Sequence, residues 1–99
     1  MNNIINNIDK FPKGAAWMGG NYMDISEAKI PVLDWGFLRS DATYDVVHVW
    51  NNRFFQLDEH ISRFFASTEK LRMPCSLKRK ELKRILAGCV KRANHTNSY

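Results

Sequence analysis

Residues 43–57, which read TYDVVHVWNNRFFQL, decide the fold of this 99-residue chain. Residues 43–50 are rich in β-branched and aromatic side chains, which is typical of a β-strand. Asn51 and Asn52 follow, and asparagine tolerates the positive φ angles of a tight turn. Residues 53–57 then return as the second strand of a hairpin candidate. The stretch therefore predicts a β-hairpin over residues 44–57, and its first strand is the strongest strand signal in the sequence.

A helical periodicity begins after the hairpin. Asp58 is a good N-cap, and we expect it to start a helix that stops before Pro74. Apolar or small residues follow Asp58 at helical spacing: Ile61, Phe64, Phe65, Thr68 and Leu71. Ser76 is expected to cap a second helix. The apolar stripe of that second helix comprises Leu82, Ile85, Leu86, Cys89, Val90 and Ala93.

The part of the chain before residue 43 predicts further β-structure. Residues 1–14 are polar and are expected to form a flexible lead-in. A first hairpin is predicted from residues 15–18, a turn at residues 19–21 and a return strand at residues 22–25. Residues 29–34 form a short β-type run, and residues 35–42 are rich in turn-forming residues. Strands followed by helices predict an α+β domain over residues 15–99, with a small antiparallel β-sheet followed by two α-helices.

Composition excludes several classes of protein. The chain is 44% hydrophobic and 25% charged, within the range of ordinary globular domains. It contains no apolar run near the ~18 residues that span a bilayer, and residues 1–9 do not resemble a secretory signal. Cys75 and Cys89 are too few for a disulfide framework and lack metal-ligand spacing, so we expect reduced thiols, no metal site and a cytoplasmic protein.

The net charge of +5 raises the alternative of a nucleic-acid-binding protein. Seven of the fifteen basic residues lie within residues 78–92. This stretch lacks the interleaved aromatic residues and glycine-rich loops of common RNA-binding modules, which favours a solvated helix face. A small basic nucleic-acid-binding protein and a non-catalytic interaction module both remain open as alternatives.

The residues of the strongest strand divide into two faces. One face carries Tyr44, Val46, His48 and Trp50, and the other carries Asp45, Val47 and Val49. The second face is the more apolar near the strand end, so it is expected to face the core. The first face combines aromatic walls with a few polar groups, as small-molecule pockets commonly do. A partly buried face of mixed character explains the same pattern equally well.

His60 and Arg63 lie one turn apart on the first predicted helix. By spacing alone, Arg63 either extends to solvent along an apolar face or presents its guanidinium to an anion in a cleft. His60 by itself is explained as a capping or packing residue. On spacing alone, a structural role is favoured over a functional one for both residues.

Three sequence motifs that follow one another along the chain change the interpretation of Arg63. They are D-x-G at residues 34–36, S-D-x-x-Y at residues 40–44 and L-x-x-H-x-x-R-F-x-x-S at residues 57–67. Together they resemble the N-terminal small domain of fold-type IV (class IV) pyridoxal-phosphate-dependent aminotransferases, over roughly residues 15–99. The segment Y-D-V-V-H-V-W at residues 44–50 is closer to the pattern of (R)-selective amine transaminases than to the Y-E-V-I-K-V-Y type of D-amino-acid aminotransferases.

The resemblance implies roles for individual residues. Arg63 is expected to bind the 5′-phosphate of pyridoxal 5′-phosphate, with His60 as its structural support. Tyr44 is expected near the substrate, with Val46 and His48 lining the same strand. Leu38 and Arg39 are expected in the loop that borders the active site. Arg39 departs from the family pattern, in which this position is commonly uncharged, and it is expected either to recognise an acidic substrate or to form a salt bridge.

The resemblance also implies the activity of the whole enzyme. Such enzymes transfer an amino group between an amine or amino acid and a ketone or 2-oxo acid. We expect a homodimer or higher oligomer that binds neither nucleic acid nor membrane. The family's catalytic lysine lies in a larger C-terminal domain, and no lysine of this chain occupies its position. No catalytic residue is therefore expected in this chain, and the 99 residues alone are expected to be inactive.

Overall fold

A computed structural model describes residues 10–40, 42–73 and 75–93. The predicted lead-in up to residue 9, Asp41 of the second motif, Pro74 and the tail from residue 94 lie outside the described residues. The elements are β1 (Ala15–Met18), β2 (Asn21–Asp24), a 3-10 helix (Ile25–Glu27), α1 (Trp35–Arg39), β3 (Val49–Trp50), β4 (Arg53–Phe54), α2 (Leu57–Lys70) and α3 (Arg79–Ala93). The predicted α+β class is confirmed. In place of one small sheet, the described residues form two antiparallel two-stranded sheets.

The described chain divides into two compact units. Unit 1 contains residues 10–29 and 83–93, and unit 2 contains the described residues between 30 and 82. The division falls inside α3. Within the described ranges, no helix is long and apolar enough to cross a membrane. Cys75 and Cys89 are both free.

Unit 1 contains the first predicted hairpin. β1 pairs with β2 so that Ala15 lies opposite Asp24 and Met18 opposite Asn21. The turn consists of Gly19 and Gly20, with φ angles of 60° and 90°, values that glycine adopts without steric cost. The predicted three-residue turn is thus one residue too long, because Asn21 is already paired in the ladder.

Tyr22 of β2 packs against α3 at Gly88. The ring lies so close that a Cβ atom built on Gly88 would be 2.6 Å from Cζ of Tyr22. The guanidinium carbon of Arg92, one turn further along α3, lies 3.6 Å from the centre of the same ring. The absence of a side chain at residue 88 therefore allows an aromatic ring to contact the helix backbone. The amide of Phe11 also donates to the carbonyl of Arg92, at 2.8 Å.

Unit 2 begins with a segment whose predicted structure was wrong. Residues 29–34 do not form a strand; Asp34 N–H donates to the Pro31 carbonyl in a turn, at 3.1 Å. The Asp34 side chain then accepts from Gly36 N–H at 2.8 Å and caps the short helix α1, which the turn-rich composition did not reveal. A local side-chain hydrogen bond thus outcompetes the weak β-propensity of this run.

The second predicted hairpin is present but shorter than expected. Asn51 and Asn52 form its turn with φ angles of 50° and 61°, and only Val49–Trp50 and Arg53–Phe54 pair. Among the described residues, 43–47 pair with no strand, and beyond the ladder the His48 carbonyl accepts a hydrogen bond from Phe55 N–H at 2.9 Å. The exposure of residues 43–48 still alternates residue by residue, as an extended chain with one inward face requires.

Helix α2 begins one residue before Asp58. Gln56 is its N-cap, in the left-handed conformation and without a capping side-chain hydrogen bond, so the predicted Asp58 cap is wrong. Asp58 lies instead in the first turn, where a carboxylate still stabilises the helix dipole. Ile61 and Thr68 are buried, and Ile61 lies with Val49 among the most buried side chains described, at 2% and 3% exposure.

The start of helix α3 also differs from expectation. The helix begins at Arg79, three residues after the predicted cap Ser76. Here the carboxylate of Glu81 accepts from Lys78 N–H at 2.9 Å, so a side chain within the first turn satisfies the backbone ahead of the helix. The predicted apolar stripe of α3 is half-buried throughout, which agrees with the periodicity.

Candidate functional site

The extended segment before β3 presents the two faces that its sequence predicts. Tyr44, Val46, His48 and Trp50 are exposed, whereas Asp45, Val47 and Val49 are half-buried or buried. The rings of His48 and Trp50 lie edge to face with their centres 6.2 Å apart. The alternation predicted for the strongest strand is therefore confirmed, although most of the segment is not paired.

Asp45 joins this segment to helix α2 through His60 and Arg63. Arg63 Nε donates to Asp45 Oδ2 at 2.7 Å, and Arg63 Nη2 donates to Asp45 Oδ1 at 2.8 Å. Nδ1 of His60 lies 2.7 Å from the same Oδ1. Nη2 of Arg63 also lies 2.9 Å from Nδ1 of His60. Asp45, His60 and Arg63, which we call the carboxylate cluster, therefore form one connected group.

The cluster controls the charge of Asp45. The Arg63 guanidinium hydrogen-bonds to the carboxylate and, with the His60 contact second, holds the pKa of Asp45 well below its usual range. The same hydrogen bonds raise the pKa of Arg63. Asp45 is only 13% exposed as a side chain, whereas Arg63 is 64% exposed. The cluster thus buries an ionised carboxylate and leaves most of the guanidinium in contact with solvent.

Asp45 was missed as a functional residue by sequence reasoning. It was assigned only to the inward face of the strand, with Val47 and Val49. A carboxylate on an otherwise apolar inward face is itself a signal, because an inward charge requires a partner. His60 and Arg63, one helical turn apart, supply that partner.

An open pocket of about 440 Å³ lies beside the cluster and is lined by Val46, His48, Phe55 and His60. The structure thus brings together Val46 and His48, both expected to line a substrate pocket, and adds Phe55 and His60, which were not. Tyr44 is 85% exposed and does not line this pocket. Phe55 was not predicted to line a pocket. Its strand was expected to continue through residue 57, and nothing in that expectation distinguished its side chain from its neighbours.

The two predicted loop residues belong to helix α1. Leu38 is exposed, and the guanidinium carbon of Arg39 lies 4.6 Å from the centre of the Trp35 ring. Arg39 is thus stacked on an exposed indole, a contact that neither expectation for Arg39 included. Trp35 also lines a second pocket, of about 420 Å³, with Asp34, Gly36, Leu71 and Met73.

The donor set of Arg63 fits an anionic ligand such as a phosphate. A guanidinium has five N–H donors, and the hydrogen bonds to Asp45 use one on Nε and one on Nη2. Three N–H donors remain on a side chain that is largely exposed. These residues therefore fit the phosphate of pyridoxal 5′-phosphate at a single anchor. Among the described residues, no group of three or more histidine, cysteine or acidic side chains is arranged to hold a metal ion.

Comparison with known proteins connects this site to a family. The sequence profile of the family described as Amino-transferase class IV matches residues 42–99. The chain belongs to this family. The family expected from the three motifs is therefore confirmed. The matched range contains all three residues of the carboxylate cluster, whereas Leu38 and Arg39 precede it.

Individual relatives of this class IV aminotransferase sequence are named as D-alanine aminotransferases. That of Bacillus licheniformis is 34% identical over 71 residues, which are 72% of this chain and 25% of the relative. That of Listeria monocytogenes serotype 1/2a (strain 10403S) is 29% identical over 77 residues, 78% of this chain and 27% of the relative. That of Staphylococcus aureus (strain N315) is 29% identical over 66 residues, which are 67% of this chain and 23% of the relative. The chain thus spans about a quarter of the length of these curated relatives.

Proposed function

We propose that this chain forms the phosphate-anchoring part of a pyridoxal-phosphate-dependent aminotransferase. The enzyme transfers an amino group between an amine or amino acid and a ketone or 2-oxo acid. The observation that carries the proposal is the guanidinium of Arg63, which is oriented by Asp45 and still has three N–H donors for a ligand. Membership of the class IV family supports the same assignment.

Arg63 binds the 5′-phosphate, and the other two members of the carboxylate cluster position it. Arginine suits this role because its charge is permanent and its planar fork matches phosphate oxygens. Asp45 holds Nε and Nη2, which limits the rotation of a long side chain before the ligand arrives. When bound, pyridoxal 5′-phosphate supplies the electron sink for the reaction. No residue of this chain is assigned as its lysine partner.

The outward face of the strand contributes to substrate binding. Val46 and His48 line the pocket beside the cluster, and Tyr44 is exposed on the same side of the segment. We place Leu38 and Arg39 at the border of the substrate site. The names of the relatives favour D-amino acids as substrates, whereas the segment Y-D-V-V-H-V-W favours (R)-amines. A panel of both substrate classes on the protein that contains this segment distinguishes them.

The phosphate anchor is tested on the 99-residue chain with pyridoxine 5′-phosphate. This ligand carries the phosphate but no aldehyde, so it forms no imine with surface lysines. Calorimetric titration is expected to show binding that Arg63→Ala weakens about tenfold, the effect of losing charge-assisted hydrogen bonds. Unphosphorylated pyridoxine is expected to bind the wild type and Arg63→Ala equally weakly.

The matched control for Arg63→Ala is Arg53→Ala. Arg53 is an exposed arginine of the same unit that lies outside the carboxylate cluster, and its removal changes the net charge by the same amount. If both variants weaken binding equally, the phosphate is attracted by general charge and Arg63 is not the anchor. Equal binding by wild type and Arg63→Ala contradicts the proposed role directly.

We further infer that the enzyme is a cytoplasmic homodimer or higher oligomer. Free cysteines support a reducing compartment. Several large apolar side chains of unit 2 are more than half exposed, among them Trp35 at 62% and Trp50 at 58%, and exposed apolar patches favour association. Light scattering of the purified protein over a range of concentrations tests this; a monomer at every concentration contradicts it.

A further inference from the structure

The proton positions in the carboxylate cluster follow from its donors and acceptors. Asp45 is ionised because its neighbours lower its pKa, so its oxygens only accept. The 2.7 Å contact between Asp45 Oδ1 and His60 Nδ1 therefore requires a hydrogen on Nδ1. A guanidinium also only donates, so the 2.9 Å approach of Arg63 Nη2 to Nδ1 is not a hydrogen bond. Both groups instead donate to Oδ1 of Asp45.

This arrangement determines what His60 can offer to a ligand. In the neutral ring, a hydrogen on Nδ1 makes Nε2 the acceptor. Since Nδ1 is occupied by Asp45, Nε2 is the one ring nitrogen left for another partner. In its neutral form, His60 is therefore a hydrogen-bond acceptor among the residues that line the pocket, and its tautomer is fixed by a carboxylate that does not line the pocket itself.

The chemistry of the pocket wall limits the ligand. The four lining residues are Val46, His48, Phe55 and His60. None of these is a lysine, an arginine or an acid, so the lining itself carries no permanent charge. The volume of about 440 Å³ is in the range of small-molecule sites. The wall therefore suits an apolar body that carries one hydrogen-bond donor.

We propose that this pocket binds the apolar group of the substrate and that Nε2 of His60 accepts a hydrogen bond from an N–H or O–H donor on that group. The proposal rests on the proposed function only in identifying the ligand as a substrate. It makes His60 a binding residue for the substrate as well as a support for Arg63. It also makes Asp45 a positioning residue, because Asp45 sets which nitrogen of His60 accepts.

The test compares two probes with the same apolar body. Benzyl alcohol has an O–H donor, and benzyl methyl ether has none. Each is titrated into the ¹⁵N-labelled 99-residue chain while the ring nitrogens of His60 and His48 are followed by long-range ¹H–¹⁵N correlation. In the neutral ring of His60 in the free chain, Nδ1 is expected to be protonated and Nε2 unprotonated. The alcohol is expected to shift Nε2 and to bind about two- to tenfold more tightly than the ether, the effect of one neutral hydrogen bond.

Two variants separate the roles of the two ring nitrogens. His60→Asn keeps an N–H donor near the position of Nδ1 for Asp45 but has no counterpart of Nε2, so the preference for the alcohol is expected to disappear while the ether still binds. Asp45→Asn keeps the imidazole but removes the carboxylate that fixes its proton. In that variant the other tautomer of His60 is expected to appear and the preference for the alcohol to fall. Circular dichroism checks that both variants are folded, and if His60→Asn is not, Asp45→Asn alone decides.

Three results would overturn the proposal. The first is a protonated Nε2 on the neutral ring of His60 in the free wild type, and the second is an alcohol preference that both folded variants retain. The third is that neither probe binds. Pyridoxine 5′-phosphate is titrated into the same samples. If pyridoxine 5′-phosphate fails to bind while the alcohol is still preferred over the ether, the proposed function is refuted and the proposed role of the pocket is supported. If pyridoxine 5′-phosphate binds and the alcohol is not preferred, the proposed role of the pocket alone is refuted.

Discussion

Replacing Gly88 by alanine reverses the usual effect of this substitution in a helix. In an exposed helix interior, glycine to alanine stabilises by about 1 kcal/mol, because alanine loses less backbone entropy on folding. Here the added Cβ would overlap Oη of Tyr22 and lie 2.6 Å from Cζ and 2.9 Å from Cε1 of the same ring. The ring as a whole must move, since the overlap is not confined to its flexible end.

The magnitude follows from three contributions. Forcing an extra methyl group into a packed contact costs about 1–3 kcal/mol. Moving the ring weakens its contact with the Arg92 guanidinium, which costs about 0.5–1 kcal/mol. The helix-propensity gain of about 1 kcal/mol offsets part of this. We expect Gly88→Ala to lower the free energy of unfolding by about 0.5–3 kcal/mol, and Tm by about 4–8 °C for each kcal/mol.

Urea unfolding followed by circular dichroism measures the effect, and changes at Tyr22 test its cause. In a Tyr22→Ala background the ring is gone, so Gly88→Ala is expected to stabilise by about 0.5–1 kcal/mol. In a Tyr22→Phe background Cζ and Cε1 remain, so Gly88→Ala is still expected to destabilise. Stabilisation by Gly88→Ala in the wild-type background, or the same effect with and without the ring, would refute the close packing of Tyr22 on α3.

Three further predictions concern unit 2. Ile61→Ala is expected to cost about 2–5 kcal/mol in urea unfolding, because the side chain is 2% exposed; the exposed Ile30→Ala is its control. Gln56→Gly is expected to raise Tm, since φ at Gln56 is 53° and glycine relieves about 1 kcal/mol of left-handed strain; Gln56→Ala, which keeps a Cβ, should not. The folded state lowers the pKa of Asp45, so its contribution is present above the unfolded pKa of about 3.9 and disappears as pH falls through the folded value. The stability difference between wild type and Asp45→Asn should therefore be larger at pH 7 than at pH 2; a difference independent of pH would refute the charged interaction.

Local signals in the sequence predicted the features that depend on neighbouring residues. The helical spacing of Ile61 and Thr68 identified the buried side of α2, and both residues are buried. Asn51 and Asn52 identified a turn because they tolerate positive φ, and both adopt it. In each case the physical cause lies within a few residues, so a short window of sequence contains it.

Features that depend on a partner elsewhere in the chain were not predicted. Residues 43–48 have strong β-propensity, yet propensity does not supply the neighbouring strand that a ladder requires. Asp45 illustrates the same limit for the site, because its partners on α2 lie 15 and 18 residues away along the chain. Only the fold shows that its carboxylate contacts both His60 and Arg63.

The two-residue turn of the hairpin explains why Asp45 lies on one face of the segment while the pocket residues Val46 and His48 lie on the other. The turn at Asn51 and Asn52 pairs Val49 with Phe54, and Val49 is buried. In an extended chain the residue four positions earlier shares the face of Val49, so Asp45 turns inward toward α2, where His60 and Arg63 lie one turn apart. The intervening Val46 and His48 must then face outward, into the pocket. A shift by one residue would exchange these faces and leave Arg63 facing Val46 in place of Asp45, so the register of a two-residue turn places both the carboxylate that holds Arg63 and the strand side chains that line the pocket.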